Sequence, residues 1–141
     1  MSIQDVQAVI DRGPYLSWLG LKVIDISKES IEARATWREE WVANLKFMQT
    51  QGGVLAALID FAADFVLFET IHQPVPTIDL RVDYHRMAKP GDLIVKGKVV
   101  KIGKQFSVCE AYLYDLENNL IASGRGTFLM PAPLPTPAPT P

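Results

Sequence analysis

The stretch Val54–Phe68, VLAALIDFAADFVLF, decides the fold of this chain of 141 residues. Apart from Asp60 and Asp64, every side chain in the stretch is apolar. A helix that spans a bilayer needs about 20 such residues, and each carboxylate near the bilayer centre costs roughly 2.5 kcal/mol or more. The stretch is too short and too acidic for that. It predicts instead a helix buried on nearly all sides inside a globular protein, with Gly52 and Gly53 at its beginning.

The composition favours one globular domain located in the cytoplasm. Hydrophobic residues make up 48% and charged residues 21% of the sequence, which is too apolar for a disordered protein. The formal net charge of −2 disfavours a nucleic-acid-binding surface, which is usually basic. Cys109 is the only cysteine and His72 and His85 are the only histidines, so we expect no disulfide, no metal and no cofactor. The N-terminal segment lacks the apolar core of a signal peptide, and no membrane association is expected.

A strand-like alternation follows the apolar stretch. In Thr77–Met87, TIDLRVDYHRM, the even positions from Ile78 to Tyr84 are apolar and the odd positions from Thr77 to His85 are polar. This period of two predicts a half-buried strand with Thr77 on its polar side. Turn residues and further alternation predict three more strands, an earlier hairpin and an opening helix. The predicted bounds are Leu93–Ile102, Phe106–Leu116 and Leu120–Met130 for the strands, Leu21–Ile26 and Ser30–Trp37 for the hairpin, and Ile3–Arg12 for the helix.

These elements indicate the fold class and the domain organisation. Short turns between successive strands predict an antiparallel meander, and segregated helices and strands predict an α+β protein. One antiparallel sheet curled around the buried helix satisfies both patterns. We expect this domain to span residues 1–130. Residues 131–141, PAPLPTPAPTP, form a proline-rich tail that we expect to be extended and either inert or a docking segment for a partner.

Two features of the apolar stretch point to chemistry. The first N–H groups of a helix have no intrahelical partner and lie at its positive end, and Gly52 and Gly53 leave room for a ligand oxygen beside them. The site could hold an oxyanion, or the glycines could serve close packing alone. Asp60 is the second feature, because a carboxylate in an apolar helix must be paired, solvated in a cleft or functional. Burial raises a carboxyl pKa in the direction a general base needs, and Asp64 lies one turn further along.

The distance between the two features has a consequence for assembly. Gly53 and Asp60 are seven residues apart, which places them about 10.5 Å apart along one helix axis. One small reacting group cannot easily contact both. If both act on it, a second copy of the helix must supply one of them, which favours a site at a homodimer interface.

The residues around the helix resemble a known family. The segment 49–60, QTQGGVLAALID, resembles the signature of hotdog-fold acyl-CoA thioesterases of the phenylacetate-pathway type. That signature is His-Gly-Gly followed by an acid nine positions after the histidine, and Gln51 and Asp60 keep this spacing. The strand start at 77–80, TIDL, with Tyr84, the turn at 103–104, GK, and the closing strand at 120–124, LIASG, are also similar to the family. The likeness extends from about Gly13 to Met130.

The resemblance implies a fold, an assembly and a reaction. The fold is a sheet of five to six antiparallel strands wrapped around a long central helix, in dimers that often pair into tetramers. The reaction is hydrolysis of a small or medium acyl-CoA, which includes aromatic ones, to a free acid and coenzyme A. Asp60 is implied as the base or nucleophile, the N–H of Gly53 as the donor that polarises the thioester carbonyl, and Thr77 as a hydroxyl that holds the water.

The resemblance also implies a fourth catalytic residue, Gln51, and several substrate contacts. Gln51 stands where the family has histidine, and it can donate a hydrogen bond but cannot titrate near neutral pH. Coenzyme A carries phosphates, so basic side chains near the site are candidates for holding them. The implied substrate-binding residues are Asn44, Gly52, Asp64, Arg86 and Lys104.

Two other function classes stay open. A non-catalytic acyl-CoA binding or sensing domain could use the same fold, and the glutamine at position 51 keeps this alternative alive. An interaction protein could use the domain as a dimeric scaffold and dock a partner through its tail. A dehydratase is disfavoured, because no histidine precedes position 72.

Overall fold

The computed structural model describes residues 2–132 and 139–140. Within these described residues, four α-helices and eight strands follow one another. The helices are α1 (Ile3–Arg12), α2 (Pro14–Trp18), α3 (Gly52–Phe65) and α4 (Phe68–Ile71). The strands are β1 (Leu21–Ile26), β2 (Ser30–Ala35), β3 (Val42–Asn44), β4 (Gln49–Thr50), β5 (Thr77–Tyr84), β6 (Leu93–Ile102), β7 (Phe106–Asp115) and β8 (Leu120–Leu129).

Six of the strands form one antiparallel sheet in the order β1-β2-β6-β7-β8-β5. The hairpin β1–β2 and the meander β6–β7–β8 confirm the prediction of antiparallel neighbours. One expected neighbour is wrong. The turn at Lys89–Asp92 suggested that β5 would pair with β6, but β5 crosses to the far side of the meander and pairs with β8. It thereby becomes an edge strand, opposite the other edge at β1.

Helix α3 packs against the inner face of this sheet. Leu58, Ile59, Ala62 and Ala63 on the helix are completely buried, because the inward side chains of β6, β7 and β8 cover that side. The apolar residues with 0% exposure on these strands are Val95, Cys109, Ala111, Leu113, Ala122 and Phe128. A sheet wrapped around one buried helix is the hotdog architecture that the resemblance implied, and the predicted fold class is confirmed.

The long predicted helix consists of two segments. Helix α3 begins at Gly52, directly after Gln51, and ends at Phe65, and α4 continues the path as a short separate turn. Among the described residues, no helix is long and apolar enough to span a membrane. The sequence reading missed α2 and the small β3–β4 hairpin, although Pro14 at the first position of α2 is a typical helix start. The predicted division at residue 130 stays a prediction, since residues 133–138 and 141 of the tail lie outside the described part.

Helix and sheet approach each other closely at Gly97 on β6. A Cβ atom at this position would overlap the carbonyl oxygen of Ala62 and lie 2.8 Å from Cγ2 of Ile31. Both neighbours are fixed, one as helix backbone and the other as a completely packed side chain. The absence of a side chain at Gly97 therefore allows α3 to rest directly on the sheet.

We expect the substitution Gly97→Ala to lower the free energy of unfolding by roughly 3 kcal/mol, because the added methyl group overpacks a rigid contact. Gly13→Ala is the matched control, since its Cβ would lie at an ordinary 3.5 Å from the oxygen of Ile10. Urea denaturation followed by circular dichroism measures both. Equal stability of the two variants would contradict the prediction.

Candidate active site

The centre of the site is a hydrogen bond between Asp60 and Thr77. The hydroxyl of Thr77, the first residue of β5, donates to the Oδ1 atom of Asp60 over 2.8 Å. Asp60 lies on α3 and is half-buried, and Thr77 is exposed at the edge of the sheet. The structure therefore brings together two of the four predicted catalytic residues.

A β-bulge explains how Thr77 reaches the helix. The strict alternation of the sequence placed Thr77 on the same face as Asp79, but the pairing of β5 with β8 shifts register between these two residues. Thr77 is paired with Phe128, which is buried, and Asp79 is paired with Thr127. A bulge inserts one residue and reverses the alternation. The prediction that Thr77 shares the face of Asp79 is therefore wrong, and Thr77 lies on the helix side.

A cleft of about 390 Å³ opens beside Asp60. It lies between α3 on one side and α1 and α2 on the other. Most of its lining is apolar or aromatic, and Asp60 and Asp64 are its two carboxylates. The lining residues are Val9, Gly13, Tyr15, Leu16, Ala57, Asp60, Phe61, Asp64, Phe65 and Pro74. The cleft can hold an apolar group of modest size next to the carboxylate of Asp60.

The pKa of Asp64, one of the two acids of the cleft, is strongly raised. Burial is the main cause that raises its pKa from the usual 3.8 to about 7; a hydrogen bond from the Val75 N–H opposes the rise, and the negative charge of Asp60 adds a smaller contribution to it. This N–H lies 3.1 Å from Oδ1 of Asp64. Near neutral pH the side chain therefore exchanges between a carboxylic acid and a carboxylate inside an apolar cleft.

The beginning of α3 presents free backbone donors. Within the described part of the chain, the N–H groups of Gly52 and Gly53 have no acceptor, whereas the N–H of Val54 already bonds to the oxygen of Gln51. A Cβ at Gly53 would meet nothing nearer than Cγ of Gln51 at 3.9 Å. The donor at Gly53 is thus exposed and unhindered. A developing negative charge placed there would be stabilised by the N–H and by the helix dipole.

Tyr84 supports this helix start. Its hydroxyl donates to the carbonyl oxygen of Gly52 over 2.9 Å, and its ring would lie 3.6 Å from a Cβ at that position. From the sequence, Tyr84 is predicted only to be a strand residue, without a role at the helix. Its contact with the helix depends on the β5–β8 pairing, which local sequence patterns do not specify.

One chain does not unite the two halves of the predicted site. Asp60 lines the cleft against α1 and α2, whereas Gly52 lines a separate depression of about 350 Å³ with Tyr84 and Arg86. Both positions belong to the same helix and face different openings. The structure is consistent with the axial separation calculated from the sequence, and within a single chain the two parts of the predicted site stay apart.

The remaining predicted residues are dispersed. Asn44 lies at the exposed tip of the β3–β4 hairpin, where its Oδ1 accepts from the N–H of Lys46 over 2.8 Å. Arg86 follows β5 and donates to Oδ1 of Asn119 over 2.9 Å at the β7–β8 turn. Lys104 occupies the β6–β7 turn at the opposite end of these strands. Within one chain, Arg86 and Lys104 therefore cannot contact the same phosphate, and their predicted role stays a prediction.

The described residues contain no group of three or more His, Cys, Asp or Glu side chains that could hold a metal ion. Cys109, the single thiol, is buried in the core and its pKa is raised to about 12 by that burial. It belongs to β7 and is completely buried, so the thiol is inert as a nucleophile.

Comparison with known proteins identifies the family. The family model described as the thioesterase superfamily matches residues 51–122, from Gln51 at the start of α3 to the inward-facing Ala122 of β8. The chain belongs to the thioesterase superfamily. The predicted resemblance to hotdog-fold thioesterases is thereby confirmed.

Individual members of the thioesterase superfamily agree with this assignment. A protein of Halobacterium salinarum, provisionally named an esterase, is 34% identical over 134 residues that cover 87% of this chain and 88% of the relative. The medium/long-chain acyl-CoA thioesterase YigI of Escherichia coli is 26% identical and covers 83% of this chain and 85% of its own length. These similarities extend beyond the segment of the family model.

Solved structures of the superfamily share the fold over nearly the whole chain. An X-ray structure of a thioesterase-superfamily protein is 38% identical, with a TM-score of 0.89, and covers 92% of this chain and 98% of that protein. The PaaI protein of the Escherichia coli phenylacetic acid degradation operon has a TM-score of 0.81 at 19% identity, with 92% of each chain covered. PaaI therefore shows the same fold.

The raised pKa of Asp64 predicts a stability change with pH. Since the folded carboxyl binds its proton more tightly than the unfolded one, its contribution to stability is fully present below pH 3.8 and is lost as the pH rises to about 7. Asp64→Asn cannot ionise and keeps an acceptor for Val75. We expect this variant to gain stability relative to the natural protein across that window, by on the order of 2–4 kcal/mol above it.

Urea denaturation at a series of pH values measures the difference between the two proteins. Other acids, such as Asp92 and Glu110, have pKa values lowered by hydrogen bonds and arginines. Their contributions are the same in both proteins, so they disappear from the difference in unfolding free energy. A difference that stays constant with pH would contradict the assignment of the raised pKa to Asp64.

Proposed function

We propose that the protein is an acyl-CoA thioesterase that hydrolyses a small or medium acyl-CoA at a site shared between two copies of the chain. The observation that carries the proposal is the hydrogen bond from Thr77 to Asp60 at an apolar cleft. Membership of the thioesterase superfamily supports the reaction class. The relative named as an acyl-CoA thioesterase, YigI, supports the substrate class.

Asp60 acts as the general base in this proposal. Its carboxylate accepts a proton from a water molecule, and the water oxygen attacks the thioester carbon. Thr77 donates to Oδ1 of Asp60, so the lone pairs of its hydroxyl remain free to accept from the same water. When the tetrahedral intermediate collapses, the C–S bond breaks and the thiolate of coenzyme A takes the proton. Direct attack by the carboxylate, with an anhydride that water then hydrolyses, is the alternative path for the same residue.

The N–H of Gly53 supplies the oxyanion stabilisation. It is exposed, has no acceptor within the described residues and lies at the positive end of α3. Asp60 of the same helix lines a different opening. We therefore assign Gly53 and Gln51 of one copy to the same site as Asp60 and Thr77 of another copy. Gln51 then donates to the carbonyl or to the sulfur without transferring a proton.

A homodimer along β5 accounts for this sharing. The strand is an edge of the sheet, so its outer backbone groups have no strand partner. Several large apolar side chains on or near it are exposed, among them Ile78 at 53%, Tyr84 at 54% and Met87 at 56%. A second copy that covers this edge would bury them and bring its own helix start toward Asp60. Coenzyme A would lie at the rim, where Arg86 and Lys104 from different copies are candidates for its phosphates.

The substitution Asp60→Asn tests the reaction directly. Without a base we expect kcat to fall by at least about 100-fold, while binding of acyl-CoA is retained. Release of coenzyme A, followed with a thiol reagent over a panel of acyl-CoAs, measures turnover. Asp25→Asn, an exposed acid on the opposite edge strand, is the matched control and should retain full activity.

Undiminished hydrolysis by the Asp60→Asn variant would remove Asp60 from the mechanism. Tight binding of acyl-CoA by the natural protein without any turnover would instead support the sensing function, which the glutamine at position 51 favours. Calorimetric titration of both proteins with a non-hydrolysable acyl-CoA analogue separates these outcomes.

Gly53→Pro tests the oxyanion donor. Proline removes the N–H and is tolerated in the first turn of a helix, so we expect a folded protein with kcat reduced by about 100-fold. Gly53→Ala keeps the donor and adds a methyl group in open space, and we expect it to retain most of the activity.

A mixture of variants tests the shared site. Subunit exchange between Asp60→Asn and Gly53→Pro proteins creates mixed dimers in which one site combines an intact Asp60 with an intact Gly53. We expect the mixture to recover activity that neither variant has alone. Recovery would be absent if each chain carried a complete site of its own.

A further inference from the structure

One oxygen of Asp64 faces the cleft without a protein partner. Its Oδ1 atom accepts the N–H of Val75, and within the described part of the chain no donor reaches the Oδ2 atom. Asp64 belongs to the lining of the cleft beside Asp60. The carboxyl group is thus anchored through one oxygen and presents the other to whatever occupies the cleft.

The surroundings of this oxygen are mostly apolar. Phe61 and Phe65 flank Asp64 on α3, with ring centroids 4.9 Å apart, and Leu16 faces it from α2. The titratable groups around Asp64 are Asp60 on its own helix, Tyr15 on α2 and the thiol of Cys109 beneath it on β7. The described residues place no cation in this lining. Burial of the oxygen by an alkyl chain would therefore strip its water without replacing the hydrogen bond.

We propose that Asp64 is a specificity-determining residue, which selects acyl groups that carry a hydroxyl about one helical turn, ~6 Å, beyond the thioester carbon. The inference rests on the proposed thioesterase function, which places the thioester carbon at Asp60. Asp64 follows Asp60 by four residues on α3 and lines the same cleft, into which the acyl chain of a substrate bound at Asp60 would extend. The occupant predicted by this arrangement is apolar over most of its length and polar at one position.

A hydroxyl is the substituent that suits both states of Asp64. It can donate to the carboxylate and accept from the carboxylic acid, and the residue exchanges between these states near neutral pH because burial raises its pKa to about 7. A plain alkyl group suits neither state and is least favoured beside the charged one. An ammonium group would suit only the charged state.

The test compares hexanoyl-CoA with 6-hydroxyhexanoyl-CoA, two substrates that differ by one hydroxyl at the end of the chain. In the natural protein we expect kcat/KM to favour the hydroxylated substrate by roughly three- to tenfold, which corresponds to one buried hydrogen bond. The difference should appear in KM, because the contact is equally present in the ground and transition states. Asp64→Leu should reverse the preference, and the surface control Asp25→Asn should leave it unchanged.

The pH profile gives a second readout that does not depend on the leucine variant. As the pH rises through about 7, ionisation of Asp64 should increase the preference of the natural protein for the hydroxylated substrate. Asp64→Asn, which keeps hydrogen-bonding atoms but does not ionise, should retain the preference and lose its pH dependence. If Asp64→Leu does not fold, the Asp64→Asn variant tests the proposal by itself.

The possible failures are distinguishable. If the natural protein hydrolyses neither substrate, the proposed function itself fails. If it hydrolyses both and the ratio of kcat/KM values is the same in the natural protein and both Asp64 variants, the role of Asp64 is overturned. A preference for 6-aminohexanoyl-CoA over the hydroxylated substrate would also overturn it, because the carboxyl group would then select a cation.

Discussion

The burial of α3 is the constraint on which the rest of the structure depends. A helix with apolar residues on nearly every side is stable in water only if other elements cover it. The sheet does so by curling, and the missing side chain at Gly97 lets it approach the backbone of Ala62. Only a narrow stripe of the helix and its first turn remain outside this cover. The two acids and the two glycines lie among these positions, together with Ala56 and Ala57, so the packing of the core determines which groups of α3 a ligand can reach.

The same packing gives the two exposed parts of the helix different environments. Asp60 and Asp64 lie under α1 and α2, where apolar neighbours restrict access of water. The first turn at Gly53 is open and positive. A base and an oxyanion site benefit from these opposite surroundings, but a straight helix holds them too far apart for one substrate group. Association of two copies would resolve this conflict, and the proposal of a shared site rests on this geometry of one chain.

Much of the fold was predictable, because its strongest signals are local. The bounds of α1, β1 and β6 agree with the prediction, since capping residues, turns and alternation define them. The partner of β5 was not predictable, because strand pairing across a whole meander leaves no trace in a local pattern. The contact between Thr77 and Asp60 was expected only through the family resemblance. The anchoring of Asp64 by Val75 depends on a loop, and loop positions have no period from which to infer them.

The β-bulge between Thr77 and Asp79 determines on which face of β5 the hydroxyl of Thr77 lies. Deletion of a single residue in this part of β5 would return the strand to regular alternation and turn the hydroxyl away from the helix, although the amino-acid composition would hardly change. Counting residues backward from Tyr84 therefore places the side chain of Thr77 on the wrong face of the strand. Its pairing with Phe128 on β8 places it on the correct face. For chains of this kind, residues that correspond in function are best matched through their neighbours on the adjacent strand rather than through their order along the chain.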